Sequence, residues 1–386
     1  MRVHVVDPSA YTPPYDDALC RALAVAGAQV ELYTSRFTYG TPPEPAGYSR
    51  RELFYRLAHG RASGGRDPAS GPRPRAGAAL KIAEHVPDML RYRRLASAAD
   101  VVHFQWLALQ HVDRFLLPRG RGRPALVITA HDVLPREPRP GQRVAQRRLY
   151  ERFDAIVVHT EHGRERLTGE LGLEPSRVHV IPHGALAPGS LSAAGADRSE
   201  LPAGFASTGA PVVLFFGLLR PYKGLDVLLE AWREVQGAEL WIVGMPRMDT
   251  APLHASVPPG VRFLERFVSA AELDAFLRRA SFVVLPYREI EASGAAFRAI
   301  GAGVPLVLSD VGGFPEIAAA GCARVVPAGD AGALAAALSE LLFDPAQLET
   351  MAQRAHEASH GRYAWEGIAA STLALYERLL RENPAP

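Results

Sequence analysis

Short, mainly apolar runs alternate with longer helical stretches along almost the whole chain, and they do so in two series. The first opens at residues 3–6 and is followed by a helical stretch at 16–26, with Ala18, Leu19, Ala22 and Leu23 as its apolar positions. Further apolar runs stand at 30–33, 101–104, 126–129, 156–159 and 178–181. A strand that is apolar at consecutive positions must be covered on both faces, and the intervening helices supply that cover. Residues 185–210, rich in Ala, Gly, Ser and Pro, then break the pattern and read as a linker. A second series follows at 212–217, 240–244, 261–264, 282–286, 306–308 and 324–326, with helical segments such as 225–235 and 271–279 between. The expectation is an α/β chain of two Rossmann-like, doubly wound parallel-sheet domains, 1–185 and 186–365, facing a cleft. In such sheets ligands bind at the carboxyl ends of the strands, and the cleft is shared by both domains.

Length and composition agree with two domains. The chain has 386 residues, 48% apolar and 22% charged, enough to bury a large core without disulfide or metal staples. Basic and acidic residues number 43 and 41, which argues against a strongly basic nucleic-acid binder. The two cysteines, Cys20 and Cys322, exclude a disulfide framework and a cysteine zinc site, and fit a reducing, cytoplasmic compartment. The apolar run at the N-terminus is too short for a signal peptide, and no run of 18 apolar residues suggests a membrane span. Residues 60–79, rich in Gly and Pro with scattered Arg, read as a surface loop. Arg91, Tyr92, Arg93 and Arg94 follow on an expected helix. A solvated basic face is the favoured account, and weak peripheral contact with the inner face of a membrane the lesser one.

Several familiar chemistries are missing. No Gly-x-Gly-x-x-Gly follows the first strand, and residues 217–224 lack the Gly-Lys-Ser/Thr of a Walker loop. His159 and His162 have no carboxylate at metal-ligand spacing and read as helix-start residues. What is present lies at strand ends. Gly217 lets the chain turn after a buried strand, and Arg220 and Lys223 then place two cations at that end, a combination suited to a diphosphate. In 285–297, Ser293 is a plausible N-cap, and the free N–H groups of the helix that begins at Gly294 can take a phosphate. Glu289 and Glu291 precede that helix and suit sugar hydroxyls. Gly312 and Gly313 permit close backbone approach, and Glu316 either stabilises a helix start or reaches a hydroxyl. In the first half, His131 ends a buried strand, His103 and Gln105 end another, and His183-Gly184 reads as a hinge.

Together and in this order, these segments resemble a retaining GT-B glycosyltransferase of family 4 (glycosyl transferases group 1). Residues 180–184 resemble the family's interdomain motif, 217–224 its diphosphate loop, 285–305 its donor-sugar motif and 310–316 the segment after it. Residues 363–365 and the last helix, 366–386, resemble a closing segment that crosses back to the first domain. The resemblance implies a GT-B fold and transfer of a sugar from a nucleotide-sugar such as a UDP- or GDP-sugar, with retention and without metal or other cofactor. It implies that Arg220 and Lys223 hold the donor diphosphate and that His131 lies near the reacting sugar. Glu291 is then the favoured donor-motif carboxylate, with Glu289 second, and Ser293, Gly294 and Glu316 complete the donor side. Tyr11, Tyr15 and Trp106 line the acceptor side. The acceptor class, whether natural product, glycan or lipid, stays open.

Two departures stand out. The family's glycine-rich first loop is here Pro- and Tyr-rich (residues 7–16), and Arg298 stands where the family's second donor-motif glutamate falls. Two alternatives are carried: a nucleotide-sugar epimerase on the same fold, and a sugar-nucleotide-binding pseudoenzyme.

Overall fold

A computed structural model describes residues 1–60, 75–107, 109–120, 122–134, 140–189, 201–205 and 209–382, with the side chains of 60 and 75–78 left aside. The Gly/Pro-rich loop at 60–79 and the linker at 185–210 therefore fall largely outside the described residues. The chain divides into two compact units: Met1–Pro182 with the segment from Trp365 on, and His183–Ala364.

In the first unit the order is β1 (Arg2–Asp7), α1 (Pro13–Val25), β2 (Gln29–Ser35), β3 (Ser49–Phe54), α2 (Arg56–Gly60), α3 (Arg75–Leu95), β4 (Val101–Phe104), α4 (Gln110–Leu116), β5 (Ala125–Thr129), α5 (Gln142–Tyr150), β6 (Ala155–Val158), α6 (Glu161–Gly169) and β7 (Val178–Val180). The seven strands form one parallel sheet in the order β3-β2-β1-β4-β5-β6-β7. Successive side chains of β1 point to opposite faces: Val3 and Val5 pack with Leu19 and Leu23 of α1, while Val6 packs with Met89 and Tyr92 of α3 on the other side.

The second unit runs β8 (Val212–Phe216), α7 (Leu225–Trp232), β9 (Glu239–Val243), α8 (Ala251–His254), β10 (Val261–Leu264), α9 (Ala270–Arg279), β11 (Phe282–Leu285), α10 (Gly294–Gly301), β12 (Leu306–Ser309), α11 (Phe314–Ala318), β13 (Ala323–Val326), α12 (Ala331–Leu342) and α13 (Pro345–His360). Its six-stranded parallel sheet has the order β10-β9-β8-β11-β12-β13. Helix starts carry their own caps: Ser269 and Glu272 form a reciprocal capping box on α9, and Ser293, Asp330 and Asp344 cap α10, α12 and α13. The chain ends in α14 (Trp365–Glu382), which buries Ile368, Leu375 and Leu379 in the first unit's core beside α1.

The sequence pattern foresees every strand except β3. Its residues, Ser-Arg-Arg-Glu-Leu-Phe, make an edge strand with three of six side chains exposed, so the apolar run that marks the other strands is missing. The first helix also starts three residues earlier than the apolar spacing suggests, because Pro13 and Pro14 occupy its first turn, where a missing N–H costs nothing. Each sheet reverses its winding direction beside its first strand, between β1 and β4 and between β8 and β11. The loops that leave those strand ends are where an α/β sheet binds ligands.

Candidate active site

In the second unit three loops converge at the carboxyl ends of β8, β11 and β12. Gly217 leaves β8 with φ +121° and Gly224 precedes α7 with φ +69°. A Cβ on Gly224 would lie 2.0 Å from the carbonyl oxygen of Pro286, and one on Gly312 would lie 1.5 Å from that of Ile290. Only glycine lets these backbones touch, so the loop after β11 is pinned against the loops on either side of it. Hydrogen bonds add to this. Arg288 N donates to Tyr222 O over 2.7 Å, and Ser309 Oγ donates to Tyr287 O. The Arg288 guanidinium grips Asp226 with two bonds of 2.9 and 2.5 Å and reaches Pro221 O at 3.1 Å.

The predicted residues sit on these loops. Lys223 is buried, with Nζ 4.9 Å from the centre of the Tyr287 ring and close against Gly217, while Arg220 is exposed. Ser293 is buried and its Oγ accepts from Ala296 N at 3.4 Å, which leaves the first N–H groups of α10 to face outward at exposed Gly294. Glu291 is buried and Glu289 exposed. Glu316, half-buried, lies in the first turn of α11. Arg298 is elsewhere: it is buried, ion-paired with Asp274, and donates to the carbonyls of Leu186 and Ala187 at 3.0 and 2.8 Å. His183 is stacked on Phe297 with ring centres 4.4 Å apart.

In the first unit an aromatic cluster surrounds His131. Trp106 is stacked on its ring, 5.0 Å between centres and 12° between planes, and Tyr15 meets it edge-on at 4.8 Å. Tyr11 packs edge-on against Trp106 and is 58% exposed, and Trp106 Nε1 donates to Thr12 Oγ1 at 3.0 Å. Tyr15 is buried, so it supports His131 and His159 from beneath and offers no open surface. His103 is also interior, bonded to Tyr376 and Thr129, and burial lowers its pKa to about 3.

The first loop is held by its own carboxylate. Asp7 Oδ1 accepts from Ser9 N at 3.1 Å, and its Oδ2 accepts from Tyr11 N and Thr12 N at 2.6 and 3.3 Å. Asp16, from α1, is bonded to Asp7, and burial raises both pKa values, Asp16 further through the charge of Asp7. Among the described residues no three His, Cys, Asp or Glu side chains are grouped to hold a metal ion.

Three residues take roles that the sequence reading did not give them. Gln105 accepts from or donates to His131 Nε2 at 3.0 Å, and His159 meets His131 Nδ1 at 3.2 Å. The signal for His159 was available: Thr129 pairs with Val157 across β5 and β6, so His131 and His159 continue the same register. Arg288 carried no signal, since it lies in a loop and its partner Asp226 is 62 residues away on α7.

Two doubly wound parallel sheets, each with loops converging at its switch point, define the GT-B architecture, and solved glycosyltransferases of that fold match nearly the whole chain. Sucrose-phosphate synthase from Thermosynechococcus elongatus superposes with a TM-score of 0.72 at 18% identity, covering 99% of this chain and 100% of that one. HepE from Anabaena, solved with UDP-glucose, gives 0.68 at 16%, covering 97% and 100%. At such identities the likeness speaks for fold alone. Sequence profiles go further: "Glycosyltransferase Family 4" matches residues 17–185 and "Glycosyl transferases group 1" matches 210–344. The chain belongs to this glycosyltransferase family. Relatives include D-inositol 3-phosphate glycosyltransferase of Kineococcus radiotolerans, 28% identical over 74% of this chain and 73% of the relative. That of Catenulispora acidiphila is 27% identical over 94% and 89%.

Proposed function

We propose that this glycosyltransferase moves a sugar from a nucleoside-diphosphate sugar, of the UDP- or GDP-sugar type, to a hydroxyl-bearing small-molecule, glycan or lipid acceptor, with retention and without a metal. The observation that carries the donor assignment is the convergence of the loops 217–224, 286–294 and 310–316 at three neighbouring strand ends, where Gly224 and Gly312 press against the backbone of the middle loop. HepE, of the same fold, was solved with UDP-glucose, and the relatives are named for D-inositol 3-phosphate. Both favour a nucleotide-sugar and a small acceptor.

In this reading the diphosphate lies against Arg220, Lys223 and the N–H groups at the start of α10. As the glycosidic bond breaks, negative charge grows on the leaving diphosphate, and those fixed donors meet it as it develops. Glu291 and Glu289 take sugar hydroxyls, and Glu316 a ribose or sugar hydroxyl. Arg298 is committed to Asp274 and leaves no carboxylate at that position for the ribose. His131 lies at the reacting sugar, and Tyr11 and Trp106, with Tyr15 behind them, receive the acceptor. The exposed face of α3, with Ile82, Val86 and Leu90 four residues apart beside Arg91 and Arg94, suits a weak peripheral contact with acidic lipid on the cytoplasmic side.

The test is thermal-shift titration with UDP, GDP, ADP and their sugars, with and without EDTA. A ligand at 100 times its Kd adds about 2.7 kcal/mol of stability. One nucleotide class should raise Tm, unchanged by EDTA, and the Arg220→Ala/Lys223→Ala double variant should lose the shift. Donor binding with no hydrolysis or transfer under any acceptor screen would favour the pseudoenzyme.

A further inference from the structure

A chain of hydrogen bonds in the first unit starts at a main-chain carbonyl, and that fixes where every proton along it stands. Ile181 O can only accept. His159 Nδ1, 3.0 Å away, therefore carries the proton between them. His159 is buried and burial keeps its ring neutral, its pKa lowered to about 4. A neutral imidazole has one N–H, so His159 Nε2 is a bare lone pair. The atom facing it at 3.2 Å is His131 Nδ1, which must then be the donor. The far nitrogen of His131, Nε2, lies 3.0 Å from the Gln105 side chain. Gln105 is buried, and its Nε2 has no hydrogen-bond partner in the amide orientation that places Oε1 toward His131. With His131 Nε2 a lone pair, Gln105 meets it through its side-chain N–H, the amide ends being exchanged. The ring itself is clamped between Trp106 and Tyr15. The nearby titratable groups are neutral too: burial raises the Tyr15 pKa and lowers that of His103. Asp132, the next residue, is exposed.

We propose that His159 is a positioning residue that holds His131 as its Nδ1–H tautomer, so that Nε2 of His131 is a hydrogen-bond acceptor, shared with Gln105 in the empty site and turned to a hydroxyl of the bound sugar or acceptor. The functional half of this rests on the reading that His131 lies at the reacting sugar. The chemistry selected is a hydroxyl that donates. A carbonyl or phosphate oxygen, which can only accept, meets a lone pair and is rejected.

The experiment is long-range 1H–15N NMR on the full chain with ring-labelled histidine at pH 7.5. The wild type should show His131 protonated at Nδ1 and bare at Nε2. His159→Phe, which keeps the bulk but removes the acceptor, should release His131 into a mixture of tautomers. His159→Gln, whose side-chain oxygen accepts, should restore the Nδ1–H form, and thermal melts establish that each variant is folded. Turnover of the nucleotide-sugar identified by the thermal-shift screen should fall at least tenfold in kcat for His159→Phe, with donor KM within threefold, and recover in part with His159→Gln. A wild-type His131 protonated at Nε2, or a tautomer indifferent to His159→Phe, overturns the proposal. If the tautomers behave as expected but His131→Ala turns over donor like the wild type, the proton order stands and the placement of His131 at the reacting sugar falls.

Discussion

Arg298 and Asp274 form a buried ion pair, and between them they hold the first residues of the second unit in place. Arg298 Nη1 binds the carbonyls of Leu186 and Ala187, while Asp274 Oδ2 accepts from Gly189 N at 2.9 Å. Arg298→Met strands the Asp274 carboxylate in the interior and should cost about 3–5 kcal/mol. Arg298→Glu should cost at least as much, because it sets two carboxylates together. Adding Asp274→Leu to Arg298→Met should return part of the loss, since no charge is then left unpaired. Urea unfolding of the full chain measures all three, and a single Arg298→Met variant within 1 kcal/mol of wild type would sink the structural account.

Two glycines of the donor loops should separate stability from binding. Gly312 sits at φ +55° against the Ile290 carbonyl, so Gly312→Ala must push the loops apart. It should destabilise by about 2 kcal/mol or more and lower nucleotide affinity at least tenfold. A Cβ on Gly294 meets nothing within 4 Å. Gly294→Ala should leave Tm within about 2 °C, yet weaken nucleotide binding if a phosphate approaches the start of α10. Calorimetric titration beside thermal melts reads both.

Arg288 and Asp226 are 43% and 59% exposed at the side chain, so their pairing contributes roughly 1 kcal/mol or less to stability. Their effect should appear in binding. Arg288→Ala frees the loop at 217–224 from the loop after β11, and nucleotide Kd should rise several-fold while Tm barely moves. Equal affinity in wild type and variant would show that the loop needs no such staple.

Asp7 and Asp16 give a pH signature. Burial raises both pKa values, so the stability that their shared proton confers is complete below the ordinary aspartate value and is lost as pH rises through the folded-state values. Asp7 accepts three backbone N–H groups and keeps the charge, so Asp16 is the proton donor. Asp16→Asn keeps a donor and removes the titration. The Tm advantage of Asp16→Asn over wild type should therefore grow as pH rises above the ordinary aspartate range. The buried His103 and His159, lowered to about 3 and 4, act the other way, costing stability as pH falls below about 6.5. They are common to both proteins and cancel in the difference, and a difference independent of pH would remove the shared proton.

Much of the architecture was legible because each of its signals is local. Twelve of the thirteen strands among the described residues announce themselves as apolar runs, and the loops that meet at the ends of β8, β11 and β12 as glycine, serine and cations. Strand β3 was hidden because an edge strand with one exposed face needs no apolar run. Arg298 was visible as a departure, but its partner was not: Asp274 is 24 residues away, and nothing in either segment names the other.

The amino-acid sequence by itself determined two parallel α/β series, their order, the glycines and cations at the strand ends, and His131 at the end of a buried strand. These follow from periodicity and from what glycine, proline and the caps permit over a few residues. Only the tertiary structure decided that Tyr15 lies beneath the site, that Asp7 anchors the first loop, and that His159 stands in register with His131. Such relationships depend on strand register and on which side chains share a buried space, and a register shift of one residue would turn the side chains of a strand to the opposite face.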